Sequence, residues 1–294
     1  MNYLLIFLAS AAFSLNGSAI RLFQTKYKKT KASVYLFQGA FCLIAAILYM
    51  LSGAYKTPPA PITIITGILF GACFMTASSI NAYCYEIGPM SITTVISSLS
   101  LAIPLGYSCL FLNESISLYG GIGLALFIFT ILISAAQSGG SKKSDMPLKW
   151  LGGTLLLFIL NGTTATIQKL TLLQAGAGQN NVFLAIAYFT AFLLFILKFI
   201  HMNKGIKFNI EEQLRKPLRA GVTAVASGIG TFGGNGLLGY LSTLLPAALL
   251  YPVQNSAYII FNSIAAVCFF KEKLTKFKLL AIASGIGAVI FLSM

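Results

Sequence analysis

Residues 32–52 read ASVYLFQGAFCLIAAILYMLS, an unbroken run without a charged side chain. A helix needs about 20 mostly apolar residues to cross the hydrocarbon core of a bilayer, so this segment is long enough to span a membrane. Similar runs follow one another along the chain, with short polar segments between them. They predict an all-α membrane protein with ten transmembrane helices, at 3–23, 32–52, 62–85, 89–112, 116–136, 150–172, 181–201, 218–241, 246–269 and 275–293.

The composition also indicates a lipid environment. Hydrophobic residues make up 57% of the 294 residues, charged residues make up 9%, and the mean hydropathy is +0.85. The net charge is +14, but the basic residues lie in short loops between apolar runs. Anionic lipid headgroups are therefore the expected partner, and nucleic acid is not. No cofactor or metal is expected, because the five cysteines lie inside apolar runs without the spacing of a metal site.

Two halves of the chain share short sequence matches. Leu15-Asn16-Gly17-Ser18 recurs as Leu160-Asn161-Gly162-Thr163, and Val34-Tyr35-Leu36 recurs as Val182-Phe183-Leu184. We therefore predict a five-helix repeat at 1–137, a linker at 138–149 and a second five-helix repeat at 150–294, within a single membrane domain. Because five crossings are an odd number, the second repeat enters the bilayer from the opposite side, and the two repeats are inverted.

The distribution of basic residues predicts the orientation. Counted by loop, all lysines and arginines except Lys56 and Lys169 fall on one side of the predicted membrane. The positive-inside rule makes that side cytoplasmic and places both termini outside. The expected location is a bacterial cytoplasmic membrane. The oligomeric state stays open, and a monomer is compatible with the sequence.

Each half has an acidic residue just after its predicted fourth helix. The segments are Phe111-Leu112-Asn113-Glu114-Ser115-Ile116 and Phe269-Phe270-Lys271-Glu272-Lys273-Leu274. In this feature, and in its two five-helix repeats, the chain resembles the EamA-type drug/metabolite transporter superfamily over essentially its whole length. The resemblance implies a solute carrier with a central cavity between the repeats, lined by the first, third, fourth, sixth, eighth and ninth helices.

Polar side chains inside the predicted helices are the first candidates for a solute path, because they need a partner or a wet cavity at membrane depth. Asn16 and Asn161 fall near the middle of their helices at equivalent repeat positions. The structural alternative is that each amide bonds to a neighbouring helix. The further candidates for solute binding are Gln254, Asn255, Tyr258 and Asn262 in the ninth helix, Asn81 in the third and Asn235 in the eighth.

Glu86, at the end of the third helix, is the candidate for coupling to a cation or proton; the alternative is an exposed loop charge. Glycines spaced four residues apart predict close helix packing, at Gly67, Gly71, Gly230 and Gly234.

These observations favour a secondary-active carrier for a small, neutral or zwitterionic metabolite or drug-like solute. A passive channel or facilitator is the alternative that is hardest to separate from a carrier. A membrane scaffold and a membrane-embedded enzyme are less favoured. An enzyme is not expected because the only histidine, His201, borders a loop and the only aspartate, Asp145, lies in the linker.

Overall fold

The structure, a computed structural model, describes residues 2–87, 100, 102–112, 117–136, 148–203, 213–270 and 276–293. The predicted all-α class is confirmed: these residues form ten α-helices, and their only strand-like pairing is an isolated bridge between Lys28 and Leu214. The helices are α1 (Asn2–Leu22), α2 (Ala32–Leu51), α3 (Pro61–Ile87), α4 (Ala102–Phe111), α5 (Leu118–Ala136), α6 (Leu148–Ala175), α7 (Asn180–Met202), α8 (Pro217–Ser242), α9 (Ala247–Phe270) and α10 (Lys276–Ser293).

Some predicted features lie outside the described residues. They are most of the linker at 138–149, the first part of the predicted fourth helix, and the acidic residues Glu114 and Glu272.

Five described segments are long and apolar enough to cross a membrane: Tyr3–Tyr27, Ala32–Leu51, Pro61–Asn81, Leu148–Ala175 and Ala177–Met202. Their outer faces are apolar as well. Along α6, for example, the side chains of Leu151, Leu155 and Ile159 follow one another a turn apart and are each about half exposed. A surface of this kind suits lipid better than water. Length, composition and exposed faces are therefore compatible with a membrane protein.

The chain forms two compact units. The first comprises Met1–Phe7, Thr76–Leu170 and Leu241–Met294, and the second comprises Leu8–Met75 and Thr171–Tyr240. Each unit contains helices from both sides of the predicted linker. The division into repeats at that linker stays a prediction.

The second unit has an aromatic core around α2 and α7, which pack along their length. Tyr49 of α2 stacks on Tyr188 of α7 with ring centroids 6.0 Å apart, and its hydroxyl donates to the carbonyl oxygen of Phe232 in α8 at 2.7 Å. Phe70 and Phe74 of α3 meet Tyr188 edge-on, at 6.3 and 5.5 Å. Large rings in these geometries bury much apolar area and also attract one another, so this cluster fixes four helices together.

Small residues bring further helices of the second unit into close contact. At Gly230 of α8 an added Cβ would lie 2.6 Å from the carbonyl oxygen of Ala12 and 2.7 Å from the amide nitrogen of Asn16, both on α1. At Gly71 of α3 it would overlap the carbonyl oxygen of Ala187 on α7. The close packing predicted from the glycine spacing is confirmed at all four positions, Gly67, Gly71, Gly230 and Gly234.

The first unit is built on α5 and α10, which pack along their length, with α9 also packed against α10. The hydroxyls of Thr130 and Ser284 lie 2.8 Å apart where α5 meets α10. Helices α4 and α6 meet at Gly162, where an added Cβ would lie 2.7 Å from the carbonyl oxygen of Ser100. Hydroxyl pairs and small residues are the usual means by which helices associate in an apolar solvent.

Two details differ from the predicted helices. After α1 the chain continues as a π-helical turn, Phe23–Tyr27, in which the amide of Lys28 donates to the carbonyl oxygen of Phe23 at 3.0 Å. In addition, α6 continues to Ala175, three residues past the predicted end at 172. Lys169 lies inside both the predicted and the observed helix, and its side chain is only 4% exposed, although the count of basic residues treats it as a charge beside the membrane.

Candidate functional site

The most unusual polar residue of the first unit is Lys169. Its side chain is buried in α6, a helix long enough to span a membrane, and its Nζ donates to the hydroxyl oxygen of Ser108 in α4 at 3.3 Å. Burying a charged group away from water costs free energy unless the group is paired or hydrogen-bonded. A buried cation in such a helix therefore needs groups that stabilise its charge, and Ser108 is one of them.

The packing of α4 against α6 explains how Lys169 reaches Ser108. The two helices come together at Gly162, which contacts the backbone at Ser100. Lys169 lies seven residues after Gly162 in α6, and Ser108 of α4 lies eight residues after Ser100. The two helices therefore run in the same direction, and both contacts lie on one seam about two turns apart. Gln168, adjacent to Lys169 in sequence, is also buried.

Helix α9 carries the polar residues predicted to line a cavity. Gln254 is buried, Asn255 and Tyr258 are half-buried, and Asn262 is exposed. Within the described residues, the side chains of Asn255 and Asn262 make no hydrogen bond. The hydroxyl of Ser256 in the same helix is buried, and it has no partner among the described residues. Helix α9 therefore presents polar groups that the described residues of its unit do not satisfy.

Three other predicted residues also lie in the first unit. Asn161 of α6 is half-buried and takes part in an interaction, so it is not an isolated amide. Asn81 of α3 has a buried Oδ1 with no partner among the described residues. A buried acceptor without a donor costs about 1 to 3 kcal/mol, so this oxygen favours a ligand or water that donates to it. The side chain of Glu86 lies outside the described residues, and its coupling role stays a prediction.

The second unit contains the remaining two predicted residues, Asn16 and Asn235. The buried hydroxyl of Ser227 in α8 donates to Asn16 Oδ1 of α1 at 2.5 Å, next to the close contact at Gly230. The structural alternative, a bond to a neighbouring helix, is thus realised at Asn16. Its Nδ2 group has no acceptor among the described residues. Asn235 is half-buried, and its Nδ2 donates to the carbonyl oxygen of Thr231 within α8 at 3.3 Å.

Sequence reasoning missed Lys169 and its partner Ser108, and also missed Ser227. For Lys169 a signal was present, because the predicted helix 150–172 contains it and continues through Leu170 and Leu172. The two serines had no such signal. A serine in an apolar helix commonly bonds its own backbone, so its partner becomes known only from the packing.

Comparisons with known proteins support the fold. No family model matches the chain, and no curated protein matches it in sequence. Among solved structures, 28 chains match. One of them, described only as "Crystal structure of protein", superposes with a TM-score of 0.74 and 12% sequence identity, covering 100% of this chain and 98% of its own. Similarity at this level of identity shows a shared fold and carries no assignment of function.

Proposed function

We propose that this chain is a secondary-active membrane carrier that moves a small, neutral or zwitterionic metabolite by alternating access. The observation that carries the proposal is Lys169, a cation that is 4% exposed within a helix long enough to span a membrane. Ionisable residues inside such helices are rare, and they commonly mark the path of a solute or ion. A zwitterionic solute supplies a carboxylate that the ammonium group of Lys169 attracts.

The pairing of helices supports the proposed architecture of ten spans in two inverted repeats. Helix α2 packs on α7 in the second unit, and α5 packs on α10 in the first. When the helices are numbered from the start of each predicted half, α2 and α7 are both second helices, and α5 and α10 are both fifth helices. A two-fold axis in the membrane plane brings equivalent helices together in this way. On this proposal the chain belongs with the EamA-type drug/metabolite carriers that its sequence resembles.

Amide groups without partners support a wet path along these helices. The Nδ2 group of Asn16 in the second unit, and the side-chain amides of Asn255 and Asn262 in the first, bond to no described residue. In lipid such groups are costly, so they favour water or a polar solute as the partner. Amides both donate and accept hydrogen bonds, which suits a neutral or zwitterionic solute better than a strongly charged one.

The proposal is tested by uptake into vesicles reconstituted with the purified protein. A panel of labelled amino acids, amines, sugars and nucleosides first identifies solutes whose uptake saturates. Lys169→Gln is then compared with Lys149→Gln, in which a lysine in the first turn of the same helix, exposed rather than buried, is replaced. Both variants are checked for unchanged elution and thermal unfolding before transport is measured.

The two lysine variants have different expected outcomes. A hydrogen bond to a charged group contributes about 1.5 to 3 kcal/mol, so Lys169→Gln should lower kcat/KM for a carboxylate-bearing solute by about 10-fold to 100-fold. Lys149→Gln should leave it within about twofold, as expected for an exposed surface charge. Equal effects of the two substitutions, or an absence of saturable uptake across the panel, would contradict the proposal.

A further inference from the structure

A basic cavity lies in the second unit where the π-helical turn after α1 meets the start of α8. Its volume is about 410 Å³, and its lining residues are Thr25, Lys26, Tyr27, Arg215, Lys216 and Arg219. Sites for small ligands typically have volumes of about 300 to 1,000 Å³, so the cavity is large enough for a small polar group. Four of its six lining residues are cationic.

Backbone and side-chain bonds hold the two walls of the cavity together. The amide of Arg215 donates to the carbonyl oxygen of Tyr27 at 2.9 Å. The hydroxyl of Thr30 and Gln213 Oε1 lie 2.5 Å apart, and Gln213 Nε2 donates to Asn203 Oδ1 at 3.0 Å. Gln213 is itself buried. The segment after α1 and the segment before α8 are far apart in sequence, and these bonds set their spacing.

Both walls have an uncommon backbone conformation. Thr25 and Lys26 lie in the π-helical turn Phe23–Tyr27. This conformation is rare in proteins as a whole, and where it occurs it is often at a functional site. Lys216 has φ 52°, the left-handed region that side chains other than glycine rarely adopt. Such a conformation costs about 1 to 3 kcal/mol and persists where the surrounding structure requires it, often at ligand sites.

The charges of the cavity are not compensated by the described part of the chain. The side chains of Lys26, Arg215, Lys216 and Arg219 form no ion pair or hydrogen bond with any described residue, and all four are exposed. Like charges placed around one concavity repel one another and raise the local concentration of anions. Helix α8 begins at Pro217, so its free amide groups and its dipole add to the positive potential there.

We propose that this cavity binds a phosphate group, carried either by an anionic phospholipid or by a soluble phosphate ester. Arginine presents a planar fork of donors that fits two phosphate oxygens, and lysine adds a mobile point charge. The cavity offers two arginines and two lysines. The site lies within the second unit and does not include Lys169, so it stands independently of the transport proposal.

Two triple variants with the same net charge test the site. The first, Arg215→Gln/Lys216→Asn/Arg219→Gln, removes three charges from the cavity; asparagine is chosen because it tolerates a positive φ. The second, Lys149→Gln/Lys198→Gln/Lys276→Gln, removes three charges from other exposed positions. Melting curves by circular dichroism establish that both triples are folded.

Binding is measured with the full chain in a neutral detergent, using two radiolabelled probes. Glycerol 3-phosphate represents a soluble ester, and dioctanoyl phosphatidylglycerol represents a phospholipid; dioctanoylglycerol is the control without phosphate. We expect saturable binding of at least one phosphate probe to the natural chain. Each basic residue near a membrane surface changes the affinity for an anionic lipid by roughly fivefold. The cavity triple, which lacks three of them, should therefore bind the phosphate probe about 100-fold more weakly. The control triple should change affinity less than threefold.

The outcomes also identify the source of the phosphate. Binding of the phospholipid alone assigns the site to the membrane, and comparable binding of glycerol 3-phosphate assigns it to a soluble ester. If the cavity triple does not fold, Lys26→Gln and Arg219→Gln are measured singly, each with an expected weakening of about fivefold. The proposal is overturned if the cavity triple and the control triple lose equal affinity for the phosphate probes, or if the single variants lose no more affinity than Lys149→Gln. It is also overturned if dioctanoylglycerol binds as well as the phosphate probes, or if no probe binds saturably.

Discussion

Replacing Gly230 by alanine should destabilise the second unit. The new Cβ would lie 2.6 Å from the carbonyl oxygen of Ala12 and 2.7 Å from the amide nitrogen of Asn16. These are backbone atoms of α1, so they move only if the whole helix moves. Overpacking of this kind costs about 1 to 3 kcal/mol. The shift also disturbs the bond from Ser227 to Asn16 Oδ1, which lies within one turn of the contact on both helices.

The matched control is Gly221→Ala in the same helix, because nothing lies within 4 Å of a Cβ added at Gly221. Alanine is favoured over glycine in a helix by about 0.5 to 1 kcal/mol, so this substitution should leave stability unchanged or raise it slightly. Both variants are melted in detergent and followed by circular dichroism. A change of 1 kcal/mol shifts Tm by about 2 to 4 °C in a chain of this size. We expect Gly230→Ala to lower Tm by about 5 °C relative to Gly221→Ala. Equal Tm values for the two variants would refute the close contact of α8 with α1.

Two further predictions concern hydrogen bonds of the second unit. A double-mutant cycle of Asn16→Ala and Ser227→Ala should give a coupling energy of about 0.6 to 2 kcal/mol in thermal melts, whereas strictly additive effects would show that the bond does not hold α1 to α8. Tyr49→Phe removes the hydroxyl that donates to a carbonyl oxygen of α8 and should cost about 0.5 to 1.5 kcal/mol. Tyr55→Phe, at an exposed ring in the same unit, should leave Tm unchanged, and an equal loss in both variants would contradict the assignment.

Hydropathy predicted the positions of the helices because the length and the apolar composition of each segment are properties of the sequence itself. The predicted segment 32–52 is α2 (Ala32–Leu51), and the predicted segment 181–201 is α7 (Asn180–Met202). Close packing at glycines could also be predicted, because the spacing of four residues places two small residues on one helix face. The π-helical turn Phe23–Tyr27 could not, since it depends on a backbone bonding pattern that composition does not encode.

The candidate site was only partly predictable. Lys169 lay within the predicted helix 150–172 but was counted with the loop charges in the orientation argument, so its burial was missed. The burial depends on Ser108 and on the close approach of α4 at Gly162, both distant in sequence. Asn16 was selected from its place in an apolar helix, and the structure adds the bond from Ser227. Whether such an amide bonds to a neighbouring helix or to a solute depends on how the helices pack, and that packing cannot be read from one sequence.

The most direct test of the transport proposal is counterflow in vesicles that contain the purified chain. The vesicles are loaded with an unlabelled solute identified by the panel and diluted into a trace of the labelled solute. A carrier that alternates between two sides exchanges the solutes one for one, so labelled solute should accumulate transiently above its equilibrium level. Uptake that rises to equilibrium without an overshoot, and at a rate that does not depend on the internal solute, would contradict the carrier and favour a channel.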